Sequence, residues 1–229
     1  MISIVTVTMR DEFLENVFQN YERQRVGKKE LIIVLNNDEM DIKHWRIKAI
    51  GYQNVRIFQL SEQVSLGACL NFATEKARGD YIAKFDDDDY YGPYYLAHIK
   101  EEFHSHPDVS VVGKTCYYLY LVNKKALLLF KPHGENRFTG WVAGASLVYK
   151  KELFKTIQFV DLNRAIDWYF LQDCKNHNIK IYSTNKENFV IIRRDPKYHT
   201  WKKGEDDFFN GSKLIAFTDD YESIVATDS

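Results

Sequence analysis

The stretch Tyr81-Ile82-Ala83-Lys84-Phe85-Asp86-Asp87-Asp88-Asp89-Tyr90-Tyr91 decides how the rest of this sequence is read. A short β-rich run ends abruptly in four carboxylates, and ligands of open parallel sheets sit at the carboxyl ends of strands. Adjacent acids in a turn beside a core raise one another's pKa unless a cation neutralises them. A hard divalent ion bound through oxygens, Mn2+ or Mg2+, relieves that repulsion, and such an ion bridges two phosphates when few protein carboxylates hold it. The implied ligand is a nucleoside diphosphate. The D-x-D spacing makes Asp86 and Asp88 the natural metal pair, on one side of extended backbone, with Asp89 close by and Asp87 adding charge. A solvated acidic turn is the ordinary reading of an acid run, but such a turn has no reason to follow a buried strand so abruptly.

Outward from this point, apolar β-rich runs recur at Ile2 to Val7, Leu31 to Leu35 and Val55 to Leu60. Between them lie segments of helical spacing: Phe13, Leu14, Val17, Phe18 and Tyr21 share one face, as do Leu66, Leu70, Ala73 and Ala77. Alternating strands and helices predict an α/β fold with a mostly parallel sheet covered on both faces, and the unbroken apolar run Leu31-Ile32-Ile33-Val34-Leu35 agrees. After a helix from about Tyr94 to His104 the pattern becomes mixed α+β. It comprises strands at Val109 to Val112, Tyr117 to Val122 and Ala126 to Phe130, the last two as a hairpin, and a further apolar run from Trp141 to Tyr149. Helices near Leu153 to Ile157 and Ile166 to Cys174 follow, then strands Ile179 to Tyr182 and Phe189 to Ile192. We therefore expect one domain over 1–203, with a nucleotide-binding half (1–106) and an acceptor half (107–203). The acidic tail, 204–229, is weakly patterned and expected to pack late or stay partly disordered.

With 31 basic and 32 acidic residues the net charge is −1, so there is no global field to steer the chain onto nucleic acid or an anionic membrane. Three widely spaced cysteines, Cys69, Cys116 and Cys174, fit reduced core thiols better than a disulfide frame or a zinc site, which predicts a cytoplasmic protein. No apolar stretch approaches the roughly 18 residues needed to span a bilayer, leaving peripheral association as the one membrane contact open to it.

Four landmarks in order then carry a family resemblance: Ile2 to Arg10 with the helix Glu12 to Tyr21; Leu31 to Asp38; Leu66-Gly67-Ala68-Cys69-Leu70-Asn71 leading to Ala77-Arg78-Gly79-Asp80-Tyr81-Ile82 and the aspartates; and Gly144-Ala145-Ser146-Leu147-Val148-Tyr149 followed by Ala165-Ile166-Asp167-Trp168. From Ile2 to about Trp201 the sequence resembles the inverting family 2 glycosyltransferases of the GT-A fold. The resemblance implies a nucleotide-sugar donor, UDP-linked for preference, and a carbohydrate or lipid-linked hydroxyl acceptor, as in bacterial surface-polysaccharide synthesis. It further implies that Thr6, Thr8, Arg10 and Asn36 line the nucleoside pocket, that Gly67 and Asn71 approach the nucleotide, that Asp86 and Asp88 are the metal motif, and that Asp167 takes the acceptor's proton. Two positions depart from the family pattern: Asn36-Asn37 stand where a carboxylate is usual, and Ile166 where an acid usually precedes the base.

Asp167 opens a helix whose Ile166, Tyr169, Phe170 and Cys174 share another face, so a helix-start acid favoured by the dipole is its plain alternative. In Arg193-Arg194-Asp195-Pro196-Lys197-Tyr198-His199 the imidazole of His199 suits a metal shell and Arg194, with Asp87, the donor's phosphate region. Trp141 and Trp168 are candidates to stack on a sugar face or to serve as core. Two other functions compete. A nucleotidyltransferase would want a Gly-rich phosphate loop where Val7-Thr8-Met9-Arg10 stands, and a non-catalytic nucleotide- or carbohydrate-binding module would keep the donor site without turnover.

Overall fold

A computed structural model describes residues 1–194 and 204–228. The first four strands, β1 (Ile2–Thr8), β2 (Lys29–Leu35), β3 (Val55–Gln59) and β4 (Tyr81–Lys84), lie in the order β3-β2-β1-β4 and pair in parallel. Strands of alternating burial cannot be covered on two faces, and these do not alternate: Leu31 through Leu35 are each 0% exposed. Leu31, Ile33 and Leu35 enter one apolar layer with Phe18 and Tyr21 of α1 (Leu14–Glu22) and Trp45 of α2 (Ile42–Ala49). Ile32 and Val34 enter the opposite layer with Cys69, Leu70 and Ala73 of α3 (Leu66–Lys76). Each such side chain stabilises the fold by about 1.5–3 kcal/mol on burial.

The helices start where the sequence supplies caps. Asp41 accepts from the Lys43 amide at 2.8 Å to open α2, and Ser65 accepts from the Ala68 amide at 3.1 Å to open α3. The helical pattern of α2 is weak, with Trp45 as its one buried residue, and periodicity did not mark it.

After α4 (Tyr95–Ser105), the second half extends the first sheet before building its own. β6 (Val109–Gly113), β9 (Arg137–Thr139), β10 (Val148–Lys150) and β11 (Lys180–Ser183) continue it as β4-β10-β6-β11-β9, with β10 antiparallel to both β4 and β6. A second sheet has the order β13-β8-β7-β12-β5, from β5 (Tyr90–Tyr91), β7 (Tyr117–Leu121), β8 (Ala126–Phe130), β12 (Phe189–Arg193) and β13 (Ser212–Phe217). β7 and β8 form the expected hairpin. The helix expected near Leu153 is a 3-10 turn, Lys151–Lys155, and α5 (Ile166–Asn176) follows.

The tail departs from the expectation of loose packing. After α6 (Glu205–Asn210), β13 pairs antiparallel with β8 along the second sheet's edge, and α7 (Glu222–Val225) leaves Val225 fully buried where its carbonyl accepts from the Asn188 amide at 2.8 Å. β13 is largely exposed, with Phe217 65% accessible, so it lacks the apolar signature that a sequence pattern would register. No helix of the described residues is long and apolar enough to cross a membrane. All three cysteines are buried and free.

Candidate active site

Because β4 belongs to the first sheet and β5 to the second, Asp86 to Asp89 form the crossing between the sheets, at the carboxyl end of β4. The crossing is pinned from below by amides of α1 and the turn after it. Asn16 Nδ2 donates to the Asp87 and Asp89 carbonyls at 2.7 and 2.9 Å, Asn20 Nδ2 donates to the Asp89 carbonyl at 2.8 Å, and Gln24 Nε2 donates to the Tyr91 and Gly92 carbonyls at 3.0 and 2.9 Å. Sequence reasoning missed this ladder. Its signal was the four-residue spacing of Asn16 and Asn20, polar side chains in register along a helix whose other face is apolar, continued by Gln24 in the turn after it.

Three of the four carboxylates are buried, and each has its own compensation. Asp87, 4% exposed, accepts from Thr8 Oγ1 at 2.5 Å and forms an ion pair with Arg10; burial and the neighbouring Asp88 nevertheless push its pKa up to about 6. Asp88 lies 3.1 Å from Arg10 Nη2, and its carbonyl accepts from Arg194 Nη1 at 2.7 Å; burial raises its pKa. Asp89 accepts from the Ile192 amide at 2.9 Å, which ties β12 to the cluster, and burial raises its pKa strongly. Asp86 is the accessible member, its side chain 36% exposed and paired with Lys84. Arg10 and Arg194 both stack on Phe13, at 4.4 and 5.0 Å from the ring centre. Thr8, Arg10, Asp87 and Arg194 therefore come together in space, and Phe13 and Lys84 join them as residues that the sequence did not single out.

Asp167 reaches the same place through the fourth landmark. The Asp86 amide donates to Tyr91 Oη at 2.8 Å, and Tyr91 Oη donates to the Ala145 carbonyl at 2.6 Å. The adjacent Gly144 sits so close to the Asp167 carboxylate that a Cβ there would stand 2.3 Å from Oδ2. Buried Lys84 registers both acids: burial lowers its pKa, but Asp86, Asp167 and Asp89 outweigh that and raise it. The amino end of α5, entered through Ala165 at φ 57°, thus faces the crossing. Of the two tryptophans, Trp168 is 50% exposed beside Asp167, whereas Trp141 is covered by Lys131 Nζ at 4.0 Å from its ring centre.

The nucleoside-pocket residues divide. Asn36 is 8% exposed, and its Nδ2 donates to the Ser61 and Val64 carbonyls at 2.8 and 3.1 Å. Carbonyls only accept, so the amide's orientation is fixed and Oδ1 is left as the acceptor. Thr6 and Thr8 are both buried in β1, at 2% and 3% exposure, and only Arg10 beyond the strand's end offers accessible side-chain surface, 23% of it. Gly67 and Asn71, expected to approach the nucleotide, both face the backbone of 159–162. Asn71 Nδ2 donates to the Phe159 carbonyl at 2.8 Å and its Oδ1 accepts from the Phe159 amide at 2.9 Å, so both ends of the side chain are spent on backbone. Gly67 faces the Val160 carbonyl, 1.8 Å from where a Cβ would be.

Among the described residues no three His, Cys, Asp or Glu side chains converge to hold a metal by themselves, and His199 lies outside the described residues. A cavity of about 640 Å³ bordered by Arg78, Tyr81, Lys150 and Lys155 lies at the amino end of β4, away from the carboxylates.

No curated protein matches the sequence. In fold the chain is similar to S. aureus TarS 1-349, with a TM-score of 0.65 at 18% identity, covering 83% of this chain and 60% of that one. The same protein in complex with UDP-GlcNAc gives 0.66 at 17%, covering 85% and 59%. Mannosyltransferase PcManGT from Pyrobaculum calidifontis, in complex with GDP-Man and Mn2+, gives 0.63 at 14%, covering 86% and 57%. The chain thus spans about three fifths of the length of these proteins. Residues 3–161, which include the first four strands, the aspartate crossing and the Gly144 turn, match the model of glycosyl transferase family 2, and the chain belongs to that family.

Proposed function

We propose that this protein transfers a sugar from a nucleoside-diphosphate donor, a UDP-sugar for preference, to an acceptor hydroxyl with inversion at the anomeric carbon, using Mn2+ or Mg2+. The observation that carries the reading is the placement of Asp86 to Asp89 at the sheet crossing, with Tyr91 linking the Asp86 amide to the Gly144-Ala145 turn against which the Asp167 carboxylate packs. The donor set fits a hard divalent ion: two carboxylates in D-x-D spacing, all-oxygen, with no third protein ligand among the described residues. That composition suits Mg2+ or Mn2+ sites that take one or two carboxylates and complete their shell with phosphate oxygens and water. Bound there, the ion would supply charge neutralisation for the diphosphate leaving group.

The chain's own residues supply the rest. Arg10 and Arg194 are cations at the crossing and offset phosphate charge as the bond to the anomeric carbon breaks. Asp167 accepts the proton of the acceptor hydroxyl as its oxygen attacks, a general-base contribution of about 10²–10⁴-fold. A single displacement of this kind inverts the centre. The fixed acceptor face of Asn36 complements an N–H on the base, as uracil's imide provides, which supports UDP although an amide replaces the usual carboxylate.

The test is a thermal-shift panel of UDP, GDP, CDP and dTDP with and without Mn2+. A nucleotide at 100 times its dissociation constant should stabilise the fold by about 2.7 kcal/mol. UDP with Mn2+ is expected to give the largest shift. A panel without any metal-dependent shift would sink the proposal.

A further inference from the structure

We infer that Asn71 and Gly67 are positioning residues for Asp167: the first turns of α3 form a bracket that fixes the chain entering α5. The inference rests on the reading of Asp167 as the base. Residues 161–165 run exposed and without regular structure between Val160 and α5, so apolar burial does not hold them. What holds them is α3. Asn71 exchanges two hydrogen bonds with the Phe159 backbone, the Gly67 amide donates to the Leu162 carbonyl at 3.0 Å, the Leu66 amide donates to Asn163 Oδ1 at 2.8 Å, and Ser65 Oγ donates to Asp161 Oδ1 at 2.5 Å. A glycine is required at 67 because the Val160 carbonyl occupies the space of a side chain.

The other side of the same bracket is the donor pocket. Asn36 holds the turn from Ser61 to Val64 through both of its amide hydrogens, and that turn leads directly into Ser65, the cap of α3. Asp167 lies four residues beyond Asn163. The residue that presents an acceptor to the nucleobase and the carboxylate that takes the acceptor's proton are thus referenced to one helix end. Side chains that hold a base within about 0.5 Å of its productive position act on turnover without touching substrate.

The experiment compares wild type, Asn71→Ala, Asp167→Asn and the double variant. The readouts are UDP binding with Mn2+, UDP release from UDP-glucose and UDP-N-acetylglucosamine, and hydrogen exchange over 159–171. For Asn71→Ala we expect UDP affinity within twofold of wild type, UDP release down at least tenfold and faster exchange over 159–171. In the Asp167→Asn background Asn71→Ala should cost nothing further, because a positioning residue has no effect once its target is gone. Asp161→Ala, which removes an exposed contact of the bracket, should act in the same direction more weakly and serves if Asn71→Ala fails to fold. A tenfold loss of UDP affinity with unchanged exchange would place Asn71 at the nucleotide and overturn the inference. Wild type that ignores UDP and Mn2+ would instead defeat the donor reading, and unchanged exchange would then still overturn the bracket.

Discussion

The two ends of the eight-stranded sheet were built by different means. On one side β3, β2, β1 and β4 are parallel, joined through helical crossovers, and β1 and β2 bury mostly aliphatic side chains together with the hydrogen-bonded pair Ser3 and Glu30. On the other, β10, β6, β11 and β9 come from segments spread over residues 109–183, in mixed directions, and polar groups are buried among them. Lys114 is the clearest case: at 0% exposure, its ammonium donates to the Asn185 carbonyl. Consecutive helical crossovers in one direction give the first end its identity, whereas the second is assembled from distant segments running in mixed directions. In the proposed reading the donor binds mainly to the first and Asp167 belongs to the second.

The strongest way to test that division is Asp167→Asn. Transfer should fall about 10²–10⁴-fold while metal-dependent nucleotide binding persists; equal transfer by the variant would refute the base assignment. Ile33→Ala probes the first end's packing instead, and since Ile33 is fully buried, chemical denaturation should register a loss of about 2–5 kcal/mol. Asp88→Ala separates binding from folding. The thermal shift from UDP with Mn2+, about 2.7 kcal/mol at 100 times the dissociation constant, should vanish, and retention of the full shift would exclude Asp88 as a ligand. Gly144→Ala acts where the two ends meet. Its new methyl meets the Asp167 carboxylate, so transfer should drop by roughly tenfold, in keeping with the 1–3 kcal/mol typical of overpacking, with nucleotide binding intact.

The smallest effect expected is a pH dependence in the second end. Burial lowers the Lys114 pKa to about 7, against an ordinary 10.5. Between those values the unfolded chain binds a proton that the folded chain does not, so this group makes stability rise with pH across that window. The cost of burying its charge is fully present below pH 7. Lys114→Met should therefore gain most over wild type near pH 6.5, with the advantage shrinking by pH 9.5; a difference in melting temperature that is flat with pH would contradict this.

The first end was legible because its signals are local. Unbroken apolar strands and the i, i+4 spacing of α1 and α3 read directly as a covered parallel sheet, and the aspartates at the end of β4 marked the crossing. The second end was harder. β9 and β10 have three residues each and β5 has two, too short for a period to register, and β13 keeps its side chains in solvent and owes its place to β8. The site divides in the same way. Thr8, Arg10, Asp87 and Arg194 were named from the sequence and meet in space, while the contacts of Gly67 and Asn71 with the backbone of 159–162 left no mark in the local pattern.

By itself, then, the sequence determined the α/β class, the covered parallel strands and the acidic end of β4, since each depends on the character of neighbouring residues. Only the tertiary structure decided which donors and acceptors are engaged: Asn36 keeps Oδ1 as its acceptor because two distant carbonyls consume its hydrogens, Asn71 is turned to the Phe159 backbone, and Asp167 packs on the Gly144-Ala145 turn that Tyr91 ties to the Asp86 amide. A side chain's identity fixes its hydrogen-bonding capacity, but which part of that capacity is spent depends on groups tens of residues away, and local pattern carries no record of them.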